Sequence, residues 1–238
     1  MRVLIVNGDD FGASRGINRG ILDAHRGGIL TSTSLMVNMP ASEEAARLAR
    51  EAPELSVGIH VNLTNEGGGP VADLDDPEAC RVELDRQLAI FRDLLGRMPT
   101  HLDSHHNVHR RPALRPLFVA LARRCALPLR EHSPARYFSS FYGQWDGETH
   151  LEHVSVDSLC RMLRDEIGEG VTELGCHPGY LDPEFHSEYA VEREAELRTL
   201  CAPELRASVE ALGFRLLGFR ELSSVAGAQP ASGAQRCR

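Results

Sequence analysis

The chain lacks the features that mark several common classes of protein. No stretch approaches the roughly 20 consecutive apolar residues that a transmembrane helix needs, and the apolar run that begins at Val3 is too short for the core of a signal peptide. There is no block of lysine and arginine, and the net charge of −8 disfavours a surface for nucleic acid or anionic lipid. These absences predict a cytoplasmic protein that binds neither membrane nor nucleic acid.

Cysteine-pairing motifs are also missing. The six cysteines lie far apart, and no two of them form a Cys-x-x-Cys pair. This spacing is typical of reduced thiols in a cytosol and disfavours a disulfide framework or a zinc ribbon. With 42% hydrophobic and 25% charged residues, the composition suits one sizeable core. We expect a single domain over residues 1–222 and a disordered tail, rich in Ala, Gly and Ser, over residues 223–238.

Strand-like and helix-like segments alternate along the chain. The predicted strands cover residues 3–7, 31–38, 55–63, a short segment leading into Asp103, 127–131, 171–176 and 214–219. The predicted helices lie between them, and the clearest covers residues 77–95, with Asp76 as its N-cap and Gly96 at its end. Residues 64–76 and 132–154 are the long irregular insertions.

This alternation predicts a parallel sheet with right-handed crossovers. About seven strands, with neither an internal repeat nor a Gly-rich dinucleotide loop, favour a distorted or incomplete (β/α) barrel over an open doubly wound sheet. In such a barrel the chemistry lies where strands end and loops begin. Polar side chains stand at most of the predicted strand ends: Asp9, Asp10, His60, Asp103, His105, Arg130, Glu131, His132, His177, Arg220 and Glu221.

Two adjacent aspartates, Asp9 and Asp10, follow the first predicted strand. Like charges at a strand end repel each other unless a cation or a proton relieves them. A divalent metal would do so, with one carboxylate as its ligand and the other free as a base. In the third strand, His60 and Asn62 face one side while Ile59 and Val61 face the other, so His60 is a candidate nitrogen ligand.

Four of the eleven histidines lie within residues 101–109. Strand alternation puts Asp103 and His105 on the same side, which makes His105 the best second nitrogen ligand, while His106 should point elsewhere. His109 lies beyond the strand in the loop and is the alternative ligand. One aspartate and two imidazoles leave coordination positions open, as catalytic metal sites do. The same ligand set serves hydrolytic zinc and ferrous oxygenases.

A sharp turn after the sixth predicted strand carries His177 among glycines and a proline. A rigidly placed histidine that is not a ligand, opposite an aspartate base, is what general acid catalysis uses. Four further residues are candidates for the wall of a substrate pocket, as aromatic faces for stacking on a ligand and a cation for an anionic group. They are Arg130, Tyr142, Trp145 and Tyr180.

Four segments together resemble the YdjC-like carbohydrate deacetylases, and the likeness runs from residue 1 to about residue 222. The segments are Ile5-Val6-Asn7-Gly8-Asp9-Asp10-Phe11-Gly12, Gly58-Ile59-His60-Val61-Asn62-Leu63-Thr64, the run from Thr100 to His109, and Cys176-His177-Pro178-Gly179. The resemblance implies a distorted (β/α) barrel related to the polysaccharide deacetylases, a bound divalent metal and a homodimer. One departure is Asn107, where the family usually has a third consecutive histidine.

The resemblance also implies residue roles. It makes Asp10, His60 and His105 the metal ligands, Asp9 the base and His177 the acid. The expected function is that of a metal-dependent hydrolase that removes an N-acetyl group from an amino sugar, an oligosaccharide or a glycoconjugate. Imidazole ligands favour zinc or another transition metal, although family members have been assigned magnesium.

Two alternative functions stay open at this point. One is a catalytically silent protein that keeps the pocket to bind a metal or sugar as a regulator. The other is a non-haem ferrous oxygenase built on the same ligand set. Those oxygenases have an all-β cupin core, so alternating strands and helices disfavour them.

Overall fold

Seven parallel strands form one curled sheet in the computed structural model, which describes residues 1–66 and 69–226. The first four strands are β1 (Arg2–Phe11), β2 (Ser32–Leu35), β3 (Ser56–Val61) and β4 (Leu102–Ser104). The later strands are β5 (Ala135–Phe138), β6 (Gln144–Trp145), β7 (Glu148–Thr149), β8 (Gly170–Cys176) and β9 (Phe214–Leu216). β6 and β7 are not in the main sheet and form a small antiparallel hairpin.

The helices are α1 (Arg15–Gly27), α2 (Ser42–Glu51), α3 (Pro77–Leu95), α4 (Arg115–Cys125), α5 (Val156–Asp165), α6 (Val191–Leu200), α7 (Pro203–Ala211) and α8 (Leu222–Ala226). Short 3₁₀ segments cover His105–Arg110, Leu151–Val154 and Phe219–Glu221. Helix α3 has the bounds that the sequence predicts. The Asp76 side chain accepts the backbone N–H groups of Glu78 and Ala79, and Gly96 takes a left-handed conformation with φ of 66° at the end.

The order of strands in the sheet is β4-β3-β2-β1-β8-β5, and β9 also pairs with β1. β9 pairs with the first residues of β1, whereas β2 pairs with its last residues. In the described sheet, β4 and β5 are the two end strands and do not pair with each other. Leu102 of β4 instead exchanges backbone hydrogen bonds with Pro128 and Arg130, in the segment before β5. The barrel is therefore curled but incomplete, which confirms the predicted fold class.

The predicted strand over residues 127–131 is wrong. Leu129 makes only an isolated parallel bridge to Leu102, and Glu131 has φ of 63°, which ends the extended segment there. The strand that enters the sheet is β5, which pairs with β8. It lies in the segment 132–154 that the sequence suggested was an irregular insertion.

Arg220 and Glu221 do not join the other polar strand ends. β9 pairs only with Arg2–Leu4, so it ends well before the end of β1 that carries the aspartates. The Arg220 guanidinium donates hydrogen bonds to the carbonyls of Pro53 and Leu55, just before β3 begins. These two residues therefore lie at the opposite end of the barrel from Asp9 and Asp10.

The C-terminal segment differs from the expected tail at its start. Residues 223–226 belong to α8, and the rest of the predicted tail, 227–238, lies outside the described residues. Five cysteines are free thiols, and Cys237 lies outside the described residues. Within the described ranges, no helix combines the length and the apolar character that a membrane crossing requires.

Replacing Gly20 by Ala should destabilise the fold, whereas the same change at Gly27 should not. A Cβ atom at Gly20, on the buried face of α1, would stand 2.6 Å from the Cα atom of Gly179. Because two backbones meet there, we expect Gly20→Ala to lower the free energy of unfolding by about 1–3 kcal/mol.

Gly27 ends the same helix, is exposed, and has no described atom within 4 Å of its Cβ position. Gly27→Ala should therefore change the free energy of unfolding by less than about 1 kcal/mol. Urea denaturation of both variants measures the difference. Equal midpoints for the two would contradict the close packing of α1 on the loop that contains Gly179.

Candidate metal centre and active-site pocket

The first strand brings two neighbouring carboxylates to one end of the barrel. Successive residues of a regular strand point to opposite faces, yet Asp9 and Asp10 are both buried among inward-facing polar groups. The register between β1 and β2 shifts between Gly8 and Phe11, and Asp10 has φ of 69°. This bulge turns both carboxylates inward, which strand alternation alone would not predict.

Asp10, His60 and His105 converge on one point. Oδ1 of Asp10 lies 3.2 Å from Nε2 of His60 and 3.2 Å from Nδ1 of His105. This oxygen is buried and has no hydrogen-bond partner in the described part of the chain. The three side chains come from β1, β3 and the residue that follows β4. One carboxylate oxygen and two imidazole nitrogens so placed fit one divalent cation with open coordination positions.

Further side chains orient this group. Nδ1 of His60 lies 2.7 Å from Oδ1 of Asp103, its partner across the β3–β4 pairing. Arg193 donates to Oδ2 of Asp10 at 2.7 Å and so leaves Oδ1 for the convergence point. Burial lowers the pKa of His60, but the carboxylates of Asp103 and Asp9 more than offset burial and raise it to about 10. The site therefore has a negative potential that favours a cation.

Arg130 lies beneath the candidate ligands, inside the barrel. Its guanidinium donates to both oxygens of Asp9, at 2.7 and 2.8 Å, and to Glu173 at 2.9 Å. It also lies 2.8 Å from Asp103. Burial raises the pKa of Asp9, but the charge and hydrogen bonds of Arg130, together with the charge of His60, outweigh burial and keep this pKa below its usual value. Asp9 is therefore ionised.

His177 lies across from Asp9, on the loop after β8. Its Nε2 atom is 4.0 Å from Oδ2 of Asp9, and its backbone N–H donates to the buried carboxylate of Glu196. The His177 ring packs edge-on against Tyr142 and Tyr189. The structure thus brings together the five residues that the sequence singled out for chemistry: Asp9, Asp10, His60, His105 and His177.

These residues line a pocket of about 950 Å³. Its wall includes aromatic side chains of the kind that stack on sugar rings. They are Tyr137, Phe141, Tyr142, Phe185 and Tyr189. Of the four predicted wall residues, only Tyr142 is in this wall.

The other three predicted wall residues lie elsewhere. Arg130 is buried below the pocket, paired with carboxylates, and so is not a cation for an anionic conjugate. Gln144 lines the pocket, so its neighbour Trp145 faces the other side of the β6–β7 hairpin, where it stacks on His150. Tyr180 donates a hydrogen bond to Asp23 of α1.

The end of the histidine run differs from the prediction. His106 and Asn107 have φ of 52° and 50°, which breaks strand alternation directly after His105. As a result His106 lines the pocket, with its ring centroid 3.8 Å from that of His105, and does not point away. His109 is buried against Ser104 and Glu131, so it does not join the group around Asp10.

Sequence reasoning missed several residues of the site, including Glu66, Tyr189, Arg193 and Glu196. The sequence does carry a signal for those on α6, because the helix has charged residues where an apolar stripe would be expected. Three of them, Glu192, Arg193 and Glu196, are buried in the structure. Glu66 carries no such signal. It comes from the loop after β3 and lies 3.3 Å from Nε2 of His105.

Comparisons with known proteins find similar sequences over most of the chain. A model of the family described as YdjC-like protein matches residues 3–211. A carbohydrate deacetylase of Geobacillus stearothermophilus is 40% identical, over 92% of this chain and 98% of that protein. A chitooligosaccharide deacetylase of Serratia marcescens is 36% identical, over 93% of this chain and 99% of that protein.

Solved structures agree on the fold. A crystal structure from Enterococcus faecalis V583, described as a candidate cellobiose-phosphate cleavage protein, has a TM-score of 0.79 at 29% identity. It covers 93% of this chain, which in turn covers 98% of it. A family 4 acetyl xylan esterase of Clostridium thermocellum, solved with a cobalt ion, has a TM-score of 0.58 at 13% identity and coverage of 96% and 93%. At that identity the likeness shows a shared fold alone.

Replacing Arg130 by Met should destabilise the protein strongly. The change leaves Asp9, Asp103 and Glu173 buried without their counter-charge, which should cost about 3–5 kcal/mol of unfolding free energy. Arg136→Gln, at an exposed arginine of β5, is the matched control and should leave the free energy of unfolding nearly unchanged. Guanidinium denaturation measures both variants. Equal stability of the two would show that Arg130 does not hold the carboxylates together.

Proposed function

The chain belongs to the YdjC-like family, and we propose that it is a metal-dependent hydrolase that removes the N-acetyl group from an amino sugar, an oligosaccharide or a glycoconjugate. The observation that carries the proposal is the convergence of Asp10, His60 and His105 at the floor of the pocket. Asp9 and His177 stand beside this point. The names of the relatives support a carbohydrate substrate.

We propose Asp10, His60 and His105 as the ligands of one divalent metal. Such a metal supplies Lewis-acid polarisation of an acetamide carbonyl and of a water molecule when it is bound. Two imidazoles and one carboxylate favour zinc, cobalt or nickel over magnesium, which prefers oxygen ligands. We therefore propose a borderline transition metal as the one that supports the highest activity.

We propose Asp9 as the base and His177 as the acid. Asp9 is kept ionised by Arg130, so its Oδ2 atom can accept the proton of the attacking water. His177 faces the pocket on the other side of that oxygen, and its Nε2 atom can donate a proton to the amine that leaves. The products are acetate and a free amino sugar. Tyr142 and Tyr189, which hold the His177 ring edge-on, are the proposed wall beside the leaving amine.

The alternatives account for less of the site. A silent regulator would not need a base and an acid, yet Asp9 and His177 are both present and face each other. A ferrous oxygenase of cupin type is disfavoured because the sheet is parallel and alternates with helices. We further propose a cytoplasmic location, which the five free thiols of the described residues support, and a homodimer, which the family resemblance supports.

Release of acetate from a panel of N-acetylated amino sugars and their oligomers tests the function. The unsubstituted protein, loaded with zinc or cobalt, should release acetate. Asp9→Asn should keep the metal but lower turnover by about 10²-fold or more, because the amide cannot take up the proton of water. Asp23→Asn, which changes a carboxylate paired with Tyr180 outside the pocket, should leave turnover unchanged. Full turnover in Asp9→Asn would remove Asp9 from the mechanism.

Metal content tests the ligands separately from activity. His60→Ala and His105→Ala should each lower zinc occupancy strongly, because each removes one of only three protein ligands. His106→Ala should change occupancy little, since His106 lies outside the group formed around Asp10. Elemental analysis after dialysis measures the bound zinc. A normal zinc content in His105→Ala together with a loss in His106→Ala would show that His106, and not His105, supplies the second nitrogen.

A further inference from the structure

The two candidate histidine ligands turn different nitrogens toward Asp10. Nε2 of His60 and Nδ1 of His105 each lie 3.2 Å from Oδ1 of Asp10. The ring planes are inclined at 67°, with their centroids 5.6 Å apart, so the two imidazoles approach the same oxygen from different sides. An imidazole that binds a metal through one nitrogen carries its hydrogen on the other, and that hydrogen needs an acceptor.

A carboxylate faces the remaining nitrogen of each ring. For His60 this is Asp103, at 2.7 Å from Nδ1, on the neighbouring strand and fully buried. For His105 it is Glu66, whose Oε1 atom lies 3.3 Å from Nε2. That nitrogen is buried and has no partner of full hydrogen-bond geometry among the described residues, so Glu66 is the acceptor that faces it. Each histidine therefore has one nitrogen facing Asp10 and the other facing a second carboxylate. The two nitrogens have exchanged places between His60 and His105.

The local backbone explains why Glu66 reaches this place. Asn62, at the end of β3, accepts the backbone N–H of Asn65, and the Asn65 side chain accepts that of Glu66. Two residues after His60, the chain is thus held in a tight turn that points back to the site. His105 follows β4 directly, next to the end of β3. The side chain of Glu66 therefore reaches the Nε2 edge of the His105 ring.

We propose that Glu66 is a positioning residue of the metal centre, which accepts the Nε2–H of His105 and so presents Nδ1 of His105 to the metal. The inference rests on the proposed function only in taking Asp10, His60 and His105 as ligands. It predicts that the bound metal is held through Nε2 of His60 and Nδ1 of His105. Asp103 provides this support from a strand of the sheet, and Glu66 provides it from a loop that also forms the pocket wall.

Two other roles for Glu66 lead to different results. Glu66, His105 and His106 themselves form a group that could hold a cation, which would give a second metal per chain. Glu66 also lines both the main pocket and an adjacent cavity of about 590 Å³, so it could instead contact the substrate. The first role changes metal stoichiometry, and the second changes KM without changing metal affinity.

Zinc affinity of the chelator-treated full chain, measured by competition with a chromophoric chelator, tests the proposal. Glu66→Gln keeps an acceptor oxygen but loses the charge, whereas Glu66→Ala loses both. Affinity should therefore fall in that order, by about 10-fold and up to about 100-fold. Glu188→Gln removes another carboxylate from the same pocket wall and should bind zinc as the unsubstituted chain does.

Four results would overturn the proposal. Unchanged zinc affinity in Glu66→Ala would show that His105 needs no support from this carboxylate. Equal losses of zinc affinity in Glu66→Ala and Glu188→Gln would show that only the total charge of the pocket matters. Two zinc ions per unsubstituted chain, with one lost in Glu66→Ala, would make Glu66 a ligand. A rise in KM at saturating zinc, with affinity for zinc unchanged, would assign Glu66 to the substrate.

The unsubstituted protein offers a second measurement that does not depend on how the variants fold. Long-range ¹H–¹⁵N spectra of the zinc-loaded protein report which ring nitrogen of each histidine carries the hydrogen. We expect the hydrogen on Nδ1 of His60 and on Nε2 of His105, and zinc bound through Nε2 of His105 would contradict the proposal. Neither the zinc competition nor the spectra use substrate. A protein that binds zinc in this way but releases no acetate would refute the proposed function alone.

Discussion

The guanidinium of Arg130 lies inside the barrel among three carboxylates, Asp9, Asp103 and Glu173, which come from three different strands. A barrel interior of this size is usually filled by apolar side chains, and three buried carboxylates would repel one another without a counter-charge. Arg130 supplies that charge and makes a two-pronged contact with Asp9. Burial nevertheless raises the pKa of Glu173 to about 7, so this carboxyl is the one that a proton can neutralise most easily.

The geometry above Arg130 follows from this arrangement. Asp9 is held by its guanidinium and faces His177, while Asp103 is held by it and orients His60. The neighbouring Asp10 is directed by a second guanidinium, that of Arg193. Arg130 and Arg193 thus keep the carboxylates of Asp9, Asp103 and Asp10 ionised, in a region where burial favours the protonated form. A divalent cation held by Asp10, His60 and His105 would add positive charge to the same region.

Part of the fold and part of the candidate site could be predicted from patterns in the sequence. Helix α3 has the predicted bounds because its cap, its apolar stripe and its final glycine are all local signals. The convergence of Asp9, Asp10, His60, His105 and His177 could be predicted because parallel strands deliver their carboxyl ends to one edge of a sheet.

The errors have two sources, which are weak local patterns and contacts between residues distant in sequence. β5 was missed because a four-residue strand with one apolar residue at each end has no clear period. Trp145 and Tyr180 were misplaced because an aromatic side chain near a site is equally able to pack on a helix or a hairpin. Arg130 was taken for a pocket cation because its three partners lie 27 or more residues away along the chain, the nearest being Asp103.

The sequence by itself determined most of the strands and helices and the types of side chain available for a metal, since periodicity and residue chemistry are local properties. Only the tertiary structure decided how these side chains pair: Asp103 with His60, Glu66 with His105, and Arg130 with Asp9. Strand register, the bend of β1 at Asp10 and the sharp turn after His105 place the partners of each pair together. These are consequences of packing between distant segments, and no pattern within one segment encodes them.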